Sequence, residues 1–323
     1  MVMVAVKAFP MNIQSLFGGQ NGQNAPVIVD IIMDQQPCKS FKDGMPIKGS
    51  IIVHSAAKNR INVTGINIEL IGKLEVSSCK NPLSINFCYV NKSLPIIDSN
   101  NYPFTFKSPE LPYNTYNGVR AKVRYYLKCT VTKDSTPIYK ELDILVLNTA
   151  QGPPIPVRPL NIDVGIEDCL HIDVRLDRNA INLNGQILGH VHFLVVKLVV
   201  KHMEINILRT EIVGGILSDQ SSAEGQLTHE TTPVFRYELM DGTPGKGEIV
   251  PIRMNLRNVP VGPTEINVAN NFSVRYFLSV VIVDESDRRY FKKQEVWFYR
   301  SEQTPEVTET AFEIPEGCLH CDP

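Results

Sequence analysis

A chain of 323 residues with 32 Lys+Arg against 34 Asp+Glu has a net charge of −2, which excludes a nucleic-acid binder held by a phosphate-neutralising surface. Hydrophobic residues at 43% and charged residues at 20% exclude general disorder. At about 150 residues per domain the length predicts two domains, each able to bury its own core.

The opening Met1-Val-Met-Val-Ala-Val is broken by Lys7 and Pro10 and is too short for a secretory leader. Residues 1–24, rich in Gly, Gln and Asn from Gly18 to Asn24, read as a flexible extension. Strand candidates follow at Val27–Met33, Ile47–Val53 and Ile66–Leu74, with a turn at Asp43-Gly44. Val123, Tyr125, Leu127, Cys129 and Val131 fall on one face and Arg124, Tyr126, Lys128 and Thr130 on the other. Such alternation predicts a half-buried antiparallel strand. Glu141–Leu147 completes this half.

Residues 151–161 predict a linker. Gln151-Gly-Pro-Pro-Ile-Pro-Val-Arg-Pro159 has four prolines, which remove ladder donors and disfavour helix. A semi-rigid spacer is the expectation; the overlapping P-x-x-P patterns also fit a ligand for a polyproline reader. Beyond it, strands are predicted at Ile187–Val200, Glu204–Arg209, Val250–Leu256, Val274–Ile282 and Tyr290–Tyr299. The longest apolar candidate, His192 to Ile207, is cut by Lys197, Lys201, His202 and Glu204, so no membrane span is expected. Residues 301–323 read as a disordered tail. The halves look like copies: Val123-Arg-Tyr-Tyr-Leu matches Val274-Arg-Tyr-Phe-Leu, and Pro46-Ile-Lys-Gly-Ser-Ile matches Gln186-Ile-Leu-Gly-His-Val. Many short strands, regular turns and this repeat predict two related β-sandwiches, at 25–150 and 162–300.

Candidate chemistry is thin. There is no G-x-S-x-G and no H-E-x-x-H. Gly242-Thr-Pro-Gly-Lys-Gly247 lacks Walker spacing and reads as a surface hairpin loop. His190 and His192 share a strand face and could bind zinc or copper; with no third ligand nearby, the end of a core strand is the default. Cys318-Leu-His-Cys321 needs a further ligand, and the seven cysteines, scattered and odd in number, read as reduced cytosolic thiols. Arg288, Arg289, Lys292 and Lys293 could touch anionic lipid, but adjacent acids cancel them and favour a solvated turn. No enzyme, metal site or cofactor is expected; such a protein works through surfaces.

Val164-Gly-Ile-Glu-Asp-Cys-Leu-His-Ile172 resembles the opening of the second domain in the vacuolar protein sorting-associated protein 26 family, the arrestin-like subunit of retromer. The resemblance continues in order through Lys201-His-Met-Glu-Ile205, Tyr237-Glu-Leu-Met-Asp-Gly242, Lys246-Gly-Glu-Ile-Val-Pro-Ile-Arg253, Asn271-Phe-Ser-Val-Arg-Tyr-Phe-Leu278 and Asp284-Glu-Ser-Asp-Arg-Arg-Tyr-Phe-Lys-Lys-Gln-Glu295. In the first half Phe41-Lys-Asp-Gly44, Gly65-Ile-Asn-Ile-Glu-Leu-Ile-Gly72 and Val123-Arg-Tyr-Tyr-Leu127 fit, with divergent stretches between.

The resemblance implies an all-β, arrestin-like fold of two related immunoglobulin-like sandwiches joined by the proline-rich linker. It implies a non-enzymatic retromer core subunit, cytoplasmic and peripheral on endosomal membranes, with membrane association indirect. Its work would be endosome-to-Golgi and endosome-to-surface retrieval of cargo. The implied partners are vacuolar protein sorting-associated proteins 35, a helical solenoid, and 29 in a heterotrimer, with sorting nexins and cargo tails. It places the solenoid-docking residues in a loop with the apolar pair Leu239 and Met240 flanked by Tyr237 and Asp241. The bland reading is that Leu239 packs under its own sandwich. Asp43 and Gly44 match a family loop that binds a sorting nexin. The alternative, another arrestin-related trafficking adaptor, predicts P-P-x-Y motifs, and none is present.

Overall fold

The computed structural model describes residues 27–34, 40–55, 63–77, 82–97, 99–133, 136–166, 168–214 and 228–302. The expectations for residues 1–24, for Gln303 onward and for Cys318 and Cys321 concern residues outside this set. The described residues form strands and no helix. In chain order they are β1 (Val27–Met33), β2 (Ile47–Ser55), β3 (Val63–Val76), β4 (Leu83–Leu94), β5 (Asn101–Phe106), β6 (Tyr116–Asn117), β7 (Ala121–Lys133), β8 (Thr136–Ile144), β9 (Leu160–Ile166), β10 (Leu170–Leu176), β11 (Ala180–Asn182), β12 (Gln186–Val196), β13 (Val200–Val213), β14 (Thr228–Asp241), β15 (Ile249–Asn255), β16 (Glu265–Val268), β17 (Phe272–Asp284) and β18 (Arg289–Tyr299).

Four sheets divide at the proline-rich segment, which forms no strand from Gln151 to Pro159. Before it, β1-β2-β5 face β4-β3-β7-β6, with β8 paired to β7. After it, β15-β12-β10-β9 face β11-β18-β17-β13-β14, with β16 paired to β17. Val123, Tyr125, Leu127, Cys129 and Val131 are all buried on β7, and Val274, Tyr276, Leu278, Val280 and Ile282 on β17, so the two alternating runs line the two cores. Burial pushes the Cys129 thiol up to about 12, an inert core thiol.

The repeat seen in the sequence extends to hydrogen bonds. Thr115 exchanges two bonds with Val146, its N–H to the carbonyl at 2.9 Å and its hydroxyl accepting the amide at 2.9 Å. Thr264 makes the same exchange with Phe298 at 2.8 and 3.0 Å. A short parallel pairing also recurs, Phe41 with Val146 and β11 with β18.

A buried polar seam joins the sandwiches. Glu211 on β13 is 1% exposed and accepts bonds from the Tyr116 hydroxyl at 2.8 Å, the Val119 amide at 3.0 Å and the Arg120 amide at 2.7 Å. Arg209 approaches it at 3.3 Å. A Cβ on Gly118 would overlap the Glu211 carboxylate, so the first sandwich can come this close only with glycine there. Beside it Arg120 pairs with Glu230 at 3.1 Å, and Asn114 donates to Glu265.

Several sequence expectations shift. The predicted Ile187–Val200 strand is two elements, because the chain turns between Val196 and Val200. Glu141–Leu147 is displaced: β8 ends at Ile144, and of the remaining residues in that range Val146 alone forms a bridge, to Phe41. His190 and His192 do not end a core strand. Val191 and Phe193 take the core face of β12, leaving both histidines half-buried on the other.

Candidate docking edge of the second sandwich

The expected docking loop is a strand. Tyr237, Leu239, Met240 and Asp241 lie in the last turnless stretch of β14, the edge strand of the larger sheet in the second sandwich. Thr228–Pro233 belong to the same strand. Loop chemistry begins only at Gly242, where φ is +83° and the amide donates to the Lys201 carbonyl at 2.7 Å.

Register explains the apolar pair. Met203 on β13 pairs with Met240 and the next residue, Glu204, pairs with Glu238. Leu239 is therefore the extra residue of a β-bulge, which breaks strict alternation. Met203 is fully buried in the core, and both Leu239 and Met240 pack against that core while staying half-buried. Neither side chain is free of its own sandwich, and neither is covered by it. Tyr237, opposite Ile205, is likewise half-buried, and Asp241, opposite His202, is exposed. A second bulge higher on β14 leaves Val234 unpaired beside Phe235. Bulges and Pro233 are the devices that keep an edge strand from adding another strand along its length.

Polar groups flank the pair. Glu204 is 2% exposed and forms an ion pair with Arg236, two strand positions before Glu238. Asn206 donates to Glu204 at 3.3 Å. Lys201 bridges to Asp287 at 2.7 Å, a bond that holds the Asp287 carboxyl below the usual range and knits the ends of β13 and β17 beside the bulge. Sequence reasoning missed Glu204 and Arg236. Their signal was a carboxylate set between the apolar Met203 and Ile205 of a strand run, which needs a partner when buried.

Asp43 and Gly44 lie apart from this edge, on the first sandwich. They form an exposed turn, with Gly44 at φ +71°. The Asp43 carboxylate accepts the Leu111 amide at 2.7 Å, the Asp43 amide donates to Asn148 at 2.8 Å and the Gly44 amide donates to the Pro109 carbonyl at 3.1 Å. The turn is thus rigid but spends one carboxylate oxygen internally. Arg288 is also committed, to Asp284 at 2.7 Å, and Lys292 donates to the Asp163 carbonyl at 2.6 Å. Among the described residues no group of three or more His, Cys, Asp and Glu is placed to hold a metal, and no helix is long and apolar enough to cross a membrane.

Two duplicated sandwiches, fused through a buried polar seam and offering turns and edges, make this an arrestin-like β-sandwich scaffold. Residues 11–287 match the family described as Vps26, vacuolar protein sorting-associated protein 26. The chain is 38% identical over 266 residues to vacuolar protein sorting-associated protein 26 of Caenorhabditis elegans, covering 80% of this chain and 72% of that protein. It is 37% identical over 260 residues to protein 26B of Arabidopsis thaliana, covering 79% and 82%. It is 36% identical over 267 residues to protein 26B of Homo sapiens, covering 80% and 76%. The chain belongs to the vacuolar protein sorting-associated protein 26 family.

Proposed function

We propose that this chain is the arrestin-like core subunit of a retromer-type coat, a non-enzymatic adaptor in endosomal retrieval of membrane cargo. The observation that carries the reading is the bulged end of β14, where Leu239 and Met240 are presented together, half-covered, on the rim of the second sandwich. An adjacent apolar pair beside Tyr237 and Asp241 suits the end of a helical solenoid, and Met adapts to such surfaces. The partner is the solenoid subunit, vacuolar protein sorting-associated protein 35, with protein 29 completing a heterotrimer. The working units are residues 25–150 and 162–300. Sorting nexins meet the first sandwich at the Asp43-Gly44 turn, and cargo tails add as extended segments to a sheet edge. Membrane association is indirect and endosomal.

The test is calorimetric titration against the solenoid subunit of the same organism, with Leu239→Asp/Met240→Asn beside the wild type. Binding that is lost in a folded double variant supports both function and site. Binding that survives keeps the function and moves the site. No binding by the wild type overturns the reading in favour of another arrestin-related adaptor.

A further inference from the structure

A cleft of about 420 Å³ lies beside the proline-rich segment, between it and the outward face of β17 and β18. Its size falls within the range of ligand-binding clefts. Ile155, Leu160, Ile266 and Trp297 give it apolar walls, and Arg158 and Arg275 give it two cations. The segment is fixed over the cleft by Asn179, whose side-chain oxygen accepts the Arg158 amide at 3.0 Å and whose own amide donates to the Arg158 carbonyl at 2.9 Å. One terminal nitrogen of Arg275 lies 3.5 Å from Glu295, while its Nε is buried and has no acceptor among the described residues. A buried N–H without an acceptor is unfavourable. The cleft therefore has apolar walls and a cationic rim.

The sequence after Glu302 has the complementary chemistry. Residues 303–323 include Glu306, Glu309, Glu313, Glu316 and Asp322 with no Lys or Arg, and Phe312-Glu313-Ile314 sets an acid between two large apolar residues. The geometry of departure is also suitable. Ser301 pairs with Ala150, so the chain leaves β18 alongside the start of the proline-rich segment. Trp297 lies five residues before Glu302, roughly 17 Å back along an extended strand. Phe312 lies ten residues beyond Glu302, a reach of up to roughly 33 Å.

We propose that Phe312-Glu313-Ile314 of this chain seats in the cleft as an extended segment. Phe312 and Ile314 then meet the apolar walls and Glu313 meets the Arg158 side of the rim.

Trp297 is the one tryptophan of the chain and lines the cleft, so its fluorescence reports occupancy directly. The full chain is compared with a chain ending at Glu302, and a synthetic peptide of residues 303–323 is titrated into the shorter protein. Expected are a red-shifted emission on truncation, its reversal by the peptide, and the same red shift from Phe312→Asp in the full chain. Arg158→Glu, on an exposed side chain, weakens the peptide about tenfold, as loss of one charge-assisted contact would. Phe312→Asp changes no residue of the two sandwiches, so it reads the contact even where truncation harms solubility. Identical emission in the full chain, the truncated chain and Phe312→Asp overturns the proposal. So does a peptide that binds the full chain as tightly as the truncated one, because the cleft is then open and its occupant comes from elsewhere.

Discussion

Tyr125 and Tyr276 occupy the same post in the two sandwiches. Each is buried at the centre of its core, and each hydroxyl accepts a backbone amide from the segment that leads into its strand, Tyr113 at 3.1 Å and Gly262 at 3.1 Å. Each ring also meets a phenylalanine edge-on, Phe87 for Tyr125 and Phe298 for Tyr276. Burial drives both phenols above their ordinary range, so each stays neutral and free to donate. Among the described residues only Tyr125 does so to the main chain, giving its proton to the Tyr113 carbonyl at 2.9 Å. Tyr276→Phe therefore leaves one amide unsatisfied, at a cost of about 1–3 kcal/mol. Tyr125→Phe strands a carbonyl as well and falls at the upper end of that range or above it. Chemical denaturation of the two variants side by side measures the difference; equal losses would show that the second bond of Tyr125 contributes nothing.

The same two tyrosines show why the repeat was legible and the docking edge was not. Val123–Val131 and Val274–Ile282 sit in the middle of their sheets with one face in a core, so period two is written into the residues. Strand β14 lies at an edge, and its bulges at Val234 and Leu239 set two apolar residues side by side. Period two fails there, and with Pro233 nearby the stretch reads as loop. Strand β4, also an edge, hides for the same reason: Phe87 is bulged and Tyr89 and Val90 are both exposed. The turn after Val196 was invisible because the run on either side of it is apolar. Tyr237, Leu239, Met240 and Asp241 were nameable from motif resemblance, but their strand setting was not. Glu211 carried no local signal at all, since its partners at Tyr116–Arg120 lie more than ninety positions away.

Glu211 is the group on which the seam between the sandwiches turns. Glu211→Ala removes the acceptor of the Val119 and Arg120 amides and leaves Arg209 without its carboxylate. Breaking a buried ion pair in this way costs roughly 3–5 kcal/mol. Gly118→Ala attacks the same contact by steric overlap without touching charge. Both variants are expected to lower the denaturation midpoint and to speed proteolysis in the proline-rich segment. A Glu211→Ala protein with wild-type stability and unchanged proteolysis would mean that the seam does not hold the sandwiches together.

Glu265 should give this junction a pH dependence. Burial raises its carboxyl above the ordinary value of 4.5, against the opposing bond from Asn114 and the charge of Arg300. A raised acid means that the folded state holds a proton more tightly than the unfolded state. The contribution of the group is fully present below pH 4.5 and is lost as pH climbs through the higher folded value. Glu265→Gln keeps the shape of the carboxyl and removes the titration. The variant is expected to match the wild type at acid pH and to exceed it at neutral pH. Denaturation curves from pH 4 to 8, the span over which carboxyls of this kind titrate, decide the matter; a variant that is less stable at neutral pH would show that the Arg300 interaction outweighs desolvation.

The half-burial of Leu239 and Met240 makes the docking test quantitative. A fully buried leucine or methionine is worth about 1.5–3 kcal/mol of transfer free energy, and these two are only partly covered. Leu239→Asp/Met240→Asn should therefore cost the second sandwich roughly 2–3 kcal/mol. Domains of ordinary stability, about 5–15 kcal/mol, survive that loss. The bulge itself should persist, because it is held by backbone register from Met203 to Glu204 and by the Gly242 bond to Lys201, not by the two side chains. A circular-dichroism spectrum unchanged from wild type, a modestly lowered midpoint and abolished solenoid binding would together mean that the exposed halves of the pair make the contact. A much larger fall in stability would mean that the pair is core, and lost binding would then report an unfolded edge. Tyr237→Phe separates the two cases further, since it keeps the ring against β13 and removes only the hydroxyl.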